Sequence, residues 1–129
     1  NIMSVPGIEK LIYKATGVDI TIPGEKLATD IQPVIEKLVQ STARGVNRRT
    51  GNKRIDESVN YFDDDILSDL EADEGNLSDL EIYFLGNTGS TPDHTIPEME
   101  LIASERMNFD AEAEDEPGLE LHIYRTWNG

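Results

Sequence analysis

Ile8, Leu11, Ile12 and Ala15 recur at i, i+3, i+4 and i+7, the spacing of one helix face, so the sequence predicts a short helix over 7–16. Ser4 and Pro6 suit its entry and Gly17 its exit. Val18, Ile20 and Ile22 then alternate with polar residues up to Pro23-Gly24, which reads as an extended segment closed by a turn. Leu27, Ile31, Val34, Ile35, Leu38 and Val39 form a longer apolar stripe and predict a second helix. Pro33 belongs in its first turn or at a kink, and Arg44-Gly45 fits a C-terminus. Val59, Phe62, Ile66 and Leu70 predict a third helix over roughly 57–72, capped by Asp56. Asp69, Glu71, Asp73 and Glu74 crowd its far end, oppose the macrodipole there and predict fraying.

After Gly75 the apolar period changes from about 3.6 residues to 2. Leu80, Ile82 and Phe84 alternate with Glu81 and Tyr83 until Gly86-Asn87, and residues 87–97 read as a loop. Met99, Leu101 and Ala103 alternate next, with Met107 and Phe109 resuming the inward set. Glu116-Pro117-Gly118-Leu119 has the residues of a type II turn, and Leu119, Leu121 and Ile123 face one way on a last strand, opposite Glu120, His122 and Tyr124. The expected fold is α+β: two to three N-terminal helices on a small antiparallel C-terminal sheet, an approximately three-stranded meander. One domain is expected across residues 1–129, helical over about 5–73 and sheet over about 78–127.

Composition narrows the chemistry. The 129 residues hold no Cys, which removes disulfides, thiolate metal sites and a Cys nucleophile. No apolar run is long enough for a transmembrane helix, and the first four residues show no signal-peptide pattern. The formal net charge of −15 is unevenly spread. Residues 1–54 carry nine basic and five acidic side chains, a net of +4. Residues 55–129 carry two basic and 21 acidic ones, a net of −19. A coat adapted to high salt would be acidic throughout, so the split points to partners instead.

No GxSxG elbow, Walker A loop or GxGxxG is present, and His94 and His122 read as ordinary surface residues. Paired carboxylates carry no information where 26 acids guarantee them. Asp69, Glu71, Asp73, Gly75, Asp79 and Glu81 approach an EF-hand loop, yet the Gly falls at position 7 and the Glu at 13, each one residue late. A solvated acidic loop is the expectation there, and no cofactor is expected. Residues 44–54 hold five basic residues with Gly and Asn and read as a loop. They carry no aromatic residue to stack on bases, and the field of the remaining chain repels a polyanion, so nucleic acid is not an expected partner. Tyr83, Tyr124 and Trp127 lie off the expected apolar faces and form either an aromatic contact patch or a second packed face.

The resulting expectation is a small non-enzymatic interaction module of inhibitor, immunity or phage-accessory type, cytoplasmic or virion-associated. Its acidic C-terminal two-thirds docks on a basic protein. The candidate contact residues are Asp63, Asp64, Asp65, Asp69, Glu71, Asp73 and Glu74, with Arg48, Arg49, Lys53 and Arg54 as the basic counterpart. The alternatives are an assembly subunit, for example of a virion, joined through the basic 44–54 loop and the acidic patches, and an Asp/Glu-dependent hydrolase.

Overall fold

A computed structural model describes residues 7–28, 31–42, 53–105 and 118–127. Six strands appear among them: β1 Ile8–Ala15, β2 Val18–Pro23, β3 Lys53–Tyr61, β4 Ser78–Phe84, β5 His94–Glu105 and β6 Leu119–Trp127. Two helices, α1 Ile31–Ser41 and α2 Leu67–Ala72, complete the set with a 3-10 turn at Gly24–Lys26. The strands make one antiparallel sheet in the order β2-β1-β4-β5-β6-β3. The meander β4-β5-β6 is therefore the centre of a larger sheet, and the expectation of two to three helices on three strands is overturned.

Two segments read as helices are strands, each for a physical reason. In β1 the inward residues are Ile8, Leu11, Tyr13 and Ala15. The pairing with β4 shifts register between Ile8 and Lys10, and this bulge inserts one residue between the first two inward positions. The i, i+3 spacing it creates imitates a helical turn. In β3 the inward positions are Ile55, Glu57, Val59 and Tyr61, and Glu57 interrupts an otherwise plain alternation. Its carboxylate meets Lys37 of α1 at 3.0 Å, so a charge occupies an inward position at the rim of the core. The helical part of the expected third helix shrinks to the six residues of α2.

β5 begins at His94, inside what reads as a loop. Its register against β4 slips between Ser78 and Leu80, and Glu98 takes a positive φ of 54°. Pro97 and Glu98 form a bulge, after which Met99, Leu101 and Ala103 return to the inward side already held by Ile96. Part of the Glu116–Leu119 turn, together with Met107 and Phe109, lies outside the described residues.

The sheet curls. Leaving β2, the chain makes the 3-10 turn and pairs Leu27 with Tyr61 at the far edge, through Ala28 N–H to Asn60 O (2.9 Å) and Phe62 N–H to Lys26 O (2.7 Å). Gly24 permits that path, since a Cβ there would sit 1.9 Å from the Ile8 carbonyl oxygen. Both helices pack on the concave side, α1 against β3 and β5 and α2 against β5 and β2. Ile31, Val34, Ile35, Leu38 and Val39 of α1 and Leu70 of α2 join the inward strand residues in one core.

Candidate interaction surface

The acidic residues expected to act together are divided by the fold. Asp63 bonds the Lys26 ammonium and accepts the backbone N–H groups of Asp64 (2.7 Å) and Asp65 (3.2 Å), forming the turn that leads into α2. Lys26 first, and then those N–H groups, hold its carboxyl below the usual carboxylate range. Asp64, Asp65, Asp69, Glu71 and Glu74 are exposed along α2 and its flanks.

Asp73 is 6% exposed and serves the fold. Its Oδ1 accepts Thr16 N–H (3.1 Å) and Asn76 Nδ2–H (3.2 Å), and its Oδ2 accepts the Ser78 hydroxyl (3.3 Å). The frayed end expected from Asp73 and Glu74 is instead a stop at Ala72, after which Asp73 turns inward. The EF-hand-like series is spread over α2, this buried anchor and the outward side of β4. Among the described residues no three His, Asp or Glu side chains gather as metal ligands.

Of the basic set, Arg48 and Arg49 lie outside the described residues. Lys53 opens β3, and Arg54 is exposed beside it. Arg54 bonds Asp56 at 2.8 Å and lies 5.9 Å from the centre of the Tyr124 ring.

The aromatic candidates separate as well. Tyr83 is 2% exposed under a corner loop, its hydroxyl donating to Glu81 and to Ser90 O, with Lys10 Nζ 4.6 Å above its ring. Trp127 packs against the core beside α1, and its Nε1–H has no hydrogen-bond partner among the described residues. Tyr124 is half-buried on the outward side of β6, stacked on His122 with ring centres 6.4 Å apart.

Cross-strand pairing builds a surface around that stack. On the outward side of β5, β6 and β3, Ile102 lies opposite His122, which lies opposite Ser58. The adjoining rows are Glu100–Tyr124–Asp56 and Ser104–Glu120–Asn60. Ile102, His122 and Tyr124 are half-buried. Glu120 Oε2 stands 3.8 Å from His122 Nε2. The patch has an apolar and aromatic middle with Glu100, Glu120 and Asp56 around it. None of the helix contacts described above covers it. Alternation along β6 made the outward side of this strand readable from the sequence, while Ile102 and Glu100 could not be added without the register.

Sequence reasoning missed the second buried charge, Arg125. It lies 2% exposed on the inward side of β6. Nη1 donates to Ser41 O (3.0 Å) and Ser41 Oγ (2.8 Å) at the end of α1, and Nε donates to Pro97 O (3.2 Å) in the β5 bulge. Burial lowers its pKa. The available signal was its phase: it follows Leu119, Leu121 and Ile123 at the same two-residue interval. No helix of the described residues is long and apolar enough to cross a membrane. No known family model, curated protein or solved structure matches this chain.

Proposed function

We propose that the protein is a non-enzymatic interaction module whose outward sheet surface over β5, β6 and β3 docks a basic partner protein. The observation that carries this reading is the Tyr124–His122–Ile102 centre bordered by Glu100, Glu120 and Asp56. An apolar, aromatic middle with a polar rim is the anatomy of a protein interface, and the middle supplies most of the affinity. The acidic rim and the exposed acids along α2 speed the encounter with a positive surface and select against negative ones. Arg54 does not reverse the sign locally, because Asp56 pairs with it.

The experiment compares three immobilised forms of the chain as bait for proteins from its native source. They are the wild type, Glu100→Lys with Glu120→Lys, and Asp69→Lys with Glu71→Lys. The two variants change net charge equally, one on the sheet surface and one on α2. A basic protein retained by the wild type and the α2 variant, lost by the sheet variant and eluted by salt is the expected result. Equal loss from both variants would show that net charge alone matters, and retention by the sheet variant would remove the surface from consideration.

A further inference from the structure

The edge strand β3 carries a charge order that is its own complement. Residues 53–57 read Lys-Arg-Ile-Asp-Glu, two positive charges, an isoleucine and two negative charges. Laid antiparallel to a second copy with Ile55 opposite Ile55, the segment sets Lys53 against Glu57 and Arg54 against Asp56, twice over. No like charges face one another in that register, and opposite charges at directly opposed positions of an antiparallel pair are stabilising.

Backbone geometry allows the same register. β3 pairs with β6 on one side only. On the other side, Asn60 O and Phe62 N–H bond the chain at Lys26–Ala28, which fixes even-numbered residues as those whose N–H and C=O groups point away from β6. Arg54, Asp56 and Ser58 share that phase, and among the described residues their outward N–H and C=O groups meet no partner strand. A twofold axis at Ile55 aligns outward-pointing Arg54 with outward-pointing Asp56 of the second copy, as an antiparallel ladder requires. Ile55 would then form a non-hydrogen-bonded pair, the closer kind.

A groove of about 460 Å³ runs along this edge between β3 and α1. All four residues 54–57 line it, together with Lys37, Gln40 and Trp127. Consecutive strand residues point to opposite sides, so a cavity touching all four lies against the strand edge itself. Self-association would meet little long-range repulsion here. The five residues carry no net charge, and salt screens the acid excess of the rest of the chain with a length of about 8 Å at physiological ionic strength.

We propose that β3 is the contact between two copies of this chain, which join edge to edge in the Ile55–Ile55 register into one continuous sheet. In the pair, Arg54 keeps its own Asp56 and gains that of the other copy.

Analytical ultracentrifugation of the full chain and of two charge-block variants tests the proposal. Lys53→Glu with Arg54→Glu makes the edge wholly acidic, and Asp56→Lys with Glu57→Lys makes it wholly basic. The expected result is a wild-type dimer whose population grows with concentration, two monomeric variants, and a restored dimer when the variants are mixed one to one. Ile55→Cys adds a register test in a chain with no other cysteine: mild oxidation should link it into a disulfide dimer, whereas Ser58→Cys should stay unlinked. Should the charge blocks unfold the chain, as lost sheet circular dichroism would reveal, the wild-type sedimentation and the two cysteine variants decide. A wild type monomeric up to roughly millimolar concentration, where any association worth about 4 kcal/mol would show, overturns the proposal. So does a charge-block variant that dimerises as the wild type does, or disulfide linkage of the Ser58→Cys variant in preference to the Ile55→Cys variant.

Discussion

α1 reaches the sheet with five buried apolar residues and α2 with one, and the polar contact that ends each helix differs in sign. At the end of α1 the buried guanidinium of Arg125 donates to the last-turn residue Ser41 and to Pro97 of the bulge. A cation at a helix C-terminus also gains from the macrodipole. At the end of α2 the buried carboxylate of Asp73 has the wrong sign for that dipole. It is held by donors from three places: the β1–β2 turn at Thr16, Asn76, and Ser78 on β4. A long apolar stripe needs its polar contact to fix an end and a register. A helix with a single buried leucine depends on its polar contact to stay docked at all.

Removing each anchor should sharpen that comparison. Arg125→Ala leaves Ser41 O and Pro97 O buried without their donor and opens space beneath both α1 and the bulge. Loss of charge-assisted bonds at about 1.5–3 kcal/mol each predicts a total cost of about 4 kcal/mol in denaturant unfolding. Arg125→Lys should recover only part of it, because one ammonium cannot span both carbonyls from the guanidinium's position. Asp73→Ala should cost less, about 2 kcal/mol, and the loss should be local. Hydrogen exchange is expected to accelerate across 67–78 while α1 amides remain protected; uniform acceleration would contradict the idea of separately anchored helices.

Alkaline titration separates the two ends of the core more finely. Burial, the largest cause, raises the hydroxyl pKa of both Tyr13 and Tyr61; the charges of Asp73 near Tyr13 and of Asp65 and Asp63 near Tyr61 push the same way. Tyr13 also donates to Met99 O at 3.2 Å. Both groups hold their protons in the folded state beyond the point at which the unfolded chain releases them. Their contribution is therefore complete below about pH 10 and declines as pH rises past it. Tyr13→Phe and Tyr61→Phe should each flatten the fall in melting temperature between roughly pH 10 and 11. The smallest effect belongs to the exposed Lys14–Asp19 pair, 2.7 Å apart across the β1–β2 hairpin. Lys14→Ala should leave the unfolding midpoint unchanged within error, because solvent screens such pairs.

The parts of this fold visible in the sequence are those where the apolar period runs unbroken. The stripe from Ile31 to Val39 has one reading, and α1 follows it. β6 alternates cleanly, and β4 does so until Tyr83, which is buried next to Ile82. β1 and β3 were hidden by single residues: the extra position at Glu9–Lys10 and the inward Glu57. Both depend on tertiary partners, a neighbouring strand for the bulge and Lys37 for the glutamate, that no local window contains. The candidate surface shows the same limit. His122 and Tyr124 could be assigned to an outward side from β6 alone, whereas Ile102 and Asp56 joined them only once strands distant in sequence were paired. Asp73 was indistinguishable from the acids around it, since its burial comes from a turn 57 residues away.

The bulge at Pro97–Glu98 gives β5 a place where its length can change. Between Ile96 and Met99 the strand spends three residues where β4 spends two, from Leu80 to Ser78. Losing one of the two bulge residues would straighten the strand and leave Met99, Leu101 and Ala103 inward, following Ile96 at the plain two-residue interval. A residue lost between Met99 and Ala103 has no such outlet and would turn the positions after it to the opposite side. Deletions in this strand should therefore survive at the bulge and fail beyond it.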